Sequence, residues 1–146
     1  MAALGVRPPA LQPRAHAYIG QVIARAGGLR ALFINGTLNR SPEPSNAQGL
    51  IDVSARIMTA NGVHVDQVRA ADRDIATGVW PDMTEHGWAA DDWPGIYQQV
   101  LAADILVLAG PIWLGDNSSV TKQVIERLTP ARTCSTRPAS TPTTAA

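Results

Sequence analysis

The strongest constraint on this chain is the apolar run Ile105-Leu106-Val107-Leu108-Ala109, preceded by Asp104 and closed by Gly110-Pro111. A half-exposed strand alternates apolar and polar residues, whereas a run that is apolar throughout reads as a strand covered on both faces, as in a parallel sheet coated by helices. Arg30 to Asn35, ending at Gly36, has the same character, and Val63, Val65 and Val68 suggest a second short strand between the two. Helical patterns separate the strands. Ala47, Leu50, Ile51, Ser54, Ile57 and Met58 share a face at helical spacing, with Ser45 as cap, Gln48 completing a capping box and Asn61-Gly62 as a left-handed stop. Trp93, Ile96, Tyr97, Val100 and Leu101 recur at i, i+3, i+4, i+7 and i+8, behind Asp91 or Asp92 as cap and Pro94 in the first turn. Val120, Val124, Ile125 and Leu128 give a last helix one apolar face, behind Ser118 or Ser119. Strand, helix, strand, helix, strand, helix predicts an α/β fold with right-handed crossovers.

The 146 residues amount to one domain. A net charge of zero gives no reason to expect nucleic acid or an anionic membrane surface as partner. The single cysteine, Cys134, excludes an internal disulfide framework and a Cys-rich metal site. No apolar run approaches the roughly 20 residues of a membrane span, and M-A-A-L-G-V-R-P-P-A has neither the basic start nor the apolar block of a signal peptide. The expected location is therefore the cytoplasm. Residues 1–28 read as a flexible leader with a short helix over His16–Ala26, and residues 29–128 as the domain. Residues 129–146 hold no Leu, Ile, Val, Met or aromatic side chain, which predicts a disordered tail. The abrupt change of composition suggests an aberrant terminus in place of further strands. It would leave the Ile105–Ala109 strand as an apolar edge, prone to self-association.

Two turns fall where open α/β sheets bind ligands, beyond the carboxyl ends of strands. The first, G-T-L-N-R-S-P-E-P-S-N from Gly36 to Asn46, supplies hydroxyls (Thr37, Ser41, Ser45), amides (Asn39, Asn46) and the charge of Arg40 at the start of a helix. Free N–H groups and partial positive charge at a helix start make this a plausible phosphate cradle. A capped helix behind a proline-stiffened loop reads equally well. No Gly-Lys pair of a P-loop, no G-x-G-x-x-G, no loop cysteine and no G-x-S-x-G elbow is present. The residues therefore favour holding a cofactor's phosphate over cleaving one. The second turn, Pro111-Ile112-Trp113-Leu114-Gly115, is apolar and offers backbone donors, which suits a flat heteroaromatic ring. Trp113 as a simple plug of the sheet end is the alternative.

T-L-N-R-S-P-E-P-S-N after the first strand, together with A-D-I-L-V-L-A-G-P-I-W-L-G-D-N-S-S-V-T-K-Q-V-I-E-R-L, resembles the flavodoxin-like NAD(P)H-dependent FMN reductase family over Leu29 to Leu128. The resemblance implies a three-layer α/β/α sheet of order 2-1-3-4-5 with strands 4 and 5 missing here. It also implies bound FMN with NAD(P)H as co-substrate. By it, Thr37, Asn39, Arg40, Ser45 and Asn46 would hold the FMN phosphate, and Pro111, Ile112, Trp113, Leu114 and Gly115 would line the ring. A small electron acceptor such as a quinone or a free flavin would complete the reaction, and subunits would pair as a homodimer. No side-chain acid or base is required for hydride transfer. Backbone N–H groups of the 111–115 turn would stabilise charge on the reduced ring.

Other residues carry less. Trp80 or Trp88 is placed to cover the site from the long 70–90 loop or to pack on the sheet. His16, His64 and His86 lack partners at metal-ligand spacing. Asp91-Asp92 reads as helix capping, and Asp72 and Asp74 around Arg73 as a solvated charge cluster. Asp116 and Asn117 either touch ligand or shape the turn. A non-catalytic flavin-binding module and an inactive fragment stand as the alternatives to an enzyme.

Overall fold

The computed structural model describes residues 28–129. The leader, the His16–Ala26 helix, the tail beyond Thr129 and Cys134 lie outside them. The described elements are β1 (Arg30–Asn35), α1 (Asn46–Ala60), β2 (His64–Arg69), 3-10 turns at Ala70–Asp72 and Thr84–His86, α2 (Trp93–Ala102), β3 (Ile105–Ala109), a hairpin of β4 (Ile112–Trp113) and β5 (Asp116–Asn117), and α3 (Ser119–Leu128).

The main sheet is parallel with order β2-β1-β3, the first part of the order implied by the resemblance. Ile34 sits between Val68 and Leu108, and Asn35 between Arg69 and Ala109. The strand buried on both faces is β1, whose Ala31, Leu32, Phe33 and Ile34 are at most 2% exposed. Its period of two divides the core. Leu32 and Ile34 pack with Trp93, Ile96 and Val124 on the α2/α3 side. Ala31 and Phe33 pack with Ile51 and Val63 on the α1 side. Each fully buried aliphatic or aromatic side chain here contributes about 1.5–3 kcal/mol. β3, expected from its apolar run to be covered on both faces, is instead an edge among the described residues: none of its residues is fully buried and Leu106 is exposed, because no strand pairs its outer side there.

All three helix faces differ from expectation. The buried stripe of α1 runs through Ile51 and Ala55, with Met58 packed against the same core. Leu50 and Ile57 point to solvent. Leucine and isoleucine spaced by seven mimic a core stripe, and only the packing of α1 on Phe33 sets the rotation. In α2, Trp93 and Ile96 are buried but Leu101 is exposed. In α3 the buried positions are Thr121, Val124 and Arg127, two of them polar.

The carboxylates at 91 and 92 do more than cap. Asp92 makes no capping bond to α2; its Oδ2 accepts from Asp74 N at 3.0 Å. Asp91 Oδ1 accepts from Trp93 N at 3.1 Å and Ala76 N at 3.2 Å, and its Oδ2 accepts from Met83 N at 3.0 Å. The same Oδ2 meets Arg127 at 2.5 Å, with both side chains fully buried. Arg127 also donates to Pro81 O at 3.2 Å and lies 5.6 Å from the centre of the Trp93 ring. This pair ties the 73–92 loop to the core. Trp80 stacks on His86 at 4.9 Å.

Candidate functional site

The chain leaves β1 for β2 on one side, then crosses to β3 on the other. The strand order therefore reverses between β1 and β3, and a crevice opens there beyond their carboxyl ends. A buried polar cluster fixes its width. Gly36 N donates to Ala109 O at 2.7 Å, and the Ser118 hydroxyl donates to Gly36 O at 2.7 Å. The Thr121 hydroxyl lies 2.9 Å from that of Ser118, and Ser118 N donates to Pro111 O at 3.1 Å. A Cβ at Gly36 or at Gly110 would overlap the Thr121 hydroxyl, so both positions admit only glycine at this spacing.

The first turn is braced from within and without. Buried Asn35 accepts Thr37 N at 3.0 Å through Oδ1 and donates to Gln48 Oε1 at 2.9 Å through Nδ2. Ser45 caps α1, its Oγ accepting from Gln48 N at 3.0 Å. The capping box is half-formed, because the Gln48 side chain turns to Asn35, Asp52 and Gln67. Asn39 Nδ2 donates to Pro44 O at 3.2 Å, closing the loop. From outside, Asp72 accepts Ser41 N at 2.8 Å and Ser41 Oγ at 2.7 Å, and Arg69 donates to Glu43 O at 2.8 Å. Asp72 is therefore a tether of the loop as well as part of a surface charge cluster. The Ser41 hydrogen bonds, with Arg69 and Arg40 adding, hold its carboxyl below the ordinary value. Asn46 and Ala47 open the helix, and their N–H groups have no acceptor among the described residues. Such orphan donors are what an anion finds at a helix start.

The second turn is a tight hairpin, with Ile112 opposite Asn117 and Trp113 opposite Asp116. Leu114 and Gly115 form its tip with φ of 52° and 83°. Positive φ at both central residues is the I′ pattern, which favours Asn-Gly and makes leucine uncommon. Asp116 and Asn117 thus shape the turn, Asp116 Oδ1 accepting from Asn117 N at 2.7 Å.

Together the turns enclose a cleft of about 690 Å³. Thr37, Asn39, Ser45, Asn46, Pro111 and Trp113 all line it, so six of the ten expected residues converge. The remaining four, Arg40, Ile112, Leu114 and Gly115, do not. Arg40 is absent from the lining, and its charge helps to lower the Asp72 carboxyl. Ile112 is 74% exposed, because strand alternation sends it away from Trp113, and Leu114 sits fully exposed at the tip. Leu38, Pro44, Ala47, Leu50 and Gly110 complete the wall. Leu50 was legible in principle as an apolar residue one turn into a capped helix, and the wrong helix rotation concealed it. Trp80 and Trp88 do not line the cleft. No group of His, Cys, Asp and Glu fit to hold a metal ion occurs among the described residues.

Residues 29–145 match the model of the NADPH-dependent FMN reductases, and the chain belongs to that family. The match reaches past Leu128, where the quoted motifs end. A curated relative, the 8-demethyl-8-aminoriboflavin-5′-phosphate synthase of Streptomyces davaonensis, is 37% identical over 107 residues, covering 68% of this chain and 41% of the relative. The crystal structure of RosB with the bound intermediate 8-demethyl-8-formylriboflavin-5′-phosphate superposes with a TM-score of 0.63 at 36% identity, over 70% of this chain and 42% of that one. The fold is flavodoxin-like. A protein named divalent metal cation transporter MntH in Mycobacterium bovis is 70% identical over 104 residues, 71% of this chain but 15% of that protein. The chain spans less than half the length of the curated relatives it matches. Among the described residues no helix is long and apolar enough to cross a membrane.

The cleft suits FMN on its own geometry. Orphan N–H groups at Asn46 and Ala47, with the hydroxyls and amides beside them, match a phosphate. Pro111, Trp113 and Leu50 offer apolar surface, and the volume lies within the roughly 300–1,000 Å³ of small-molecule sites.

Proposed function

We propose that this chain binds FMN in the cleft between the two turns and serves NAD(P)H-dependent reduction of a small acceptor such as a quinone or a free flavin. The observation that carries the reading is the convergence of a helix-start anion cradle and Trp113 on one cleft at the strand-order reversal of an FMN reductase family member. Thr37, Asn39, Ser45 and Asn46 would hold the phosphate, and Pro111 and Trp113 the ring. Arg40, Ile112, Leu114 and Gly115 lie outside the lining and would make no contact with the cofactor. When bound, FMN would supply two-electron chemistry between NAD(P)H and the acceptor. The protein's own part is binding and orientation, the turns being held at fixed spacing by Ser118, Thr121 and Gly36. Exposed Leu50 and Trp113 beside the cleft favour homodimer pairing, and a cytoplasmic location belongs to the same proposal.

A second reading comes from RosB, whose structure holds a flavin 5′-phosphate intermediate: a flavin phosphate would be substrate here. Anaerobic mixing of the FMN-loaded chain with NADPH tests both. Bleaching of flavin absorbance, restored by a quinone, with unaltered FMN recovered, supports the reductase. A flavin of altered mass supports the second reading. Binding without bleaching would leave a non-catalytic module, and failure to bind FMN would remove both enzymatic readings.

A further inference from the structure

A second cavity, of about 520 Å³, lies at the carboxyl end of β2, on the other side of the first turn. It shares no lining residue with the FMN cleft. Seven of its eight lining residues are polar or charged: Asn35, Ser41, Gln48, Gln67, Arg69, Asp72 and Arg73, with Val68 the exception. Their hydrogen bonds leave an asymmetry. The side-chain acceptors are engaged: Asp72 by Ser41, Gln48 Oε1 by Asn35, Gln67 Oε1 by Gln48, and Asn35 Oδ1 by Thr37 N. The donors are not. Arg69 donates through NH1 alone, to Glu43 O. Among the described residues, Gln67 Nε2 and the whole Arg73 guanidinium have no hydrogen-bond partner. With both arginines charged against the single Asp72 carboxylate, the lining is net positive.

Solvent-facing donors free of protein acceptors around a cationic pocket suit a ligand that is all acceptor and negatively charged. We propose that this cavity is an anion subsite that takes a phosphoryl group, held by the guanidinium forks of Arg69 and Arg73 and the Gln67 amide. Guanidinium suits this task because its fixed fork matches two oxygens of one phosphate at once. The phosphoryl group is either a phosphate carried by a nucleotide or a free phosphate. The subsite stands apart from the FMN reading, since no wall is common to both.

Calorimetric titration of the full chain tests it, with and without saturating FMN. Inorganic phosphate is one probe, and adenosine 2′,5′-bisphosphate against AMP the other. Saturable binding is expected, weakened about tenfold or more by Arg73→Gln and by Arg69→Gln, since a hydrogen bond to a charged group is worth about 1.5–3 kcal/mol. Arg56→Gln, on α1 away from the cavity, is expected to change nothing, and Arg73→Gln to leave FMN affinity intact. Bisphosphate binding more tightly than phosphate supports a nucleotide source, and equal affinity supports free phosphate. Absence of saturable binding to either probe overturns the proposal, as does binding indifferent to both arginine changes, or an equal loss of FMN affinity in Arg73→Gln. If FMN fails to bind, the FMN-free titrations still read the subsite, so the two failures are distinct.

Discussion

Removing either partner of the buried Asp91–Arg127 pair is expected to have very unequal consequences. Asp91→Ala strands the Arg127 guanidinium in the core with Pro81 O as its remaining acceptor and frees the N–H groups of Ala76, Met83 and Trp93. Breaking a buried pair in this way costs about 3–5 kcal/mol. Arg127→Met leaves the Asp91 carboxylate with those three N–H donors. It forfeits a charged hydrogen bond of about 1.5–3 kcal/mol and a cation–π contact of about 0.5–2 kcal/mol. It also removes Arg127 Nε and NH1, buried without partners among the described residues, each a burden of about 1–3 kcal/mol. Three N–H donors still hold the Asp91 carboxylate and the relief offsets part of the loss of its counter-charge, so Arg127→Met is expected to cost roughly 2 kcal/mol less than Asp91→Ala. Against a domain stability of about 5–15 kcal/mol, urea unfolding followed by tryptophan fluorescence resolves the difference. Equal losses of about 3–5 kcal/mol for the two variants would refute the reasoning, as would an Asp91→Ala variant within about 1 kcal/mol of the parent.

Three further outcomes follow from single positions. Gly36→Ala is expected to lose about 1–3 kcal/mol by overpacking against Thr121, with part of the loss returned by adding Thr121→Ala; thermal melting of the single and double variants checks this. Leu114→Asn relieves a left-handed leucine at the hairpin tip and is expected to gain roughly 1 kcal/mol, read as a rise in Tm. Asp72 titrates lower folded than its ordinary 3.8, so its contribution is complete above that value and is lost as pH falls through the lowered one. The stability gap between the parent and Asp72→Asn should therefore be constant from neutral pH to about 5 and close in stronger acid.

The sequence carried the layers well because periodicity and caps are local. Ser45, Ser118 and the Asn61-Gly62 stop sit where the pattern put them. Helix rotation was not legible. Leu50 and Ile57 satisfy a helical stripe as well as Ile51 and Ala55 do, and only contact with Phe33 and Val63 decides between them. The half of the candidate cleft built on a helix start was readable from Thr37, Asn39, Ser45 and Asn46, which line one wall of it. The hairpin half was read as an undivided apolar turn, because Leu-Gly lacks the usual Asn-Gly signature of the I′ turn. The long-range partners of the polar residues that fix the geometry were not read, for a common reason. Asp72, Asp91, Thr121 and Arg127 find partners 31 to 85 positions away in sequence, and no local pattern announces a contact of that range.

The central claim is that one cleft holds a phosphate on the α1 side and a ring on the Trp113 side. Parallel fluorescence titrations of the full chain with FMN and with riboflavin test it most directly, since the two ligands differ by the phosphate alone. FMN is expected to bind at least about tenfold more tightly, the margin of one charged hydrogen bond of about 1.5–3 kcal/mol, with both affinities reduced in Trp113→Ala. Equal affinity for the two ligands, or FMN binding unaffected by the loss of Trp113, would contradict the account.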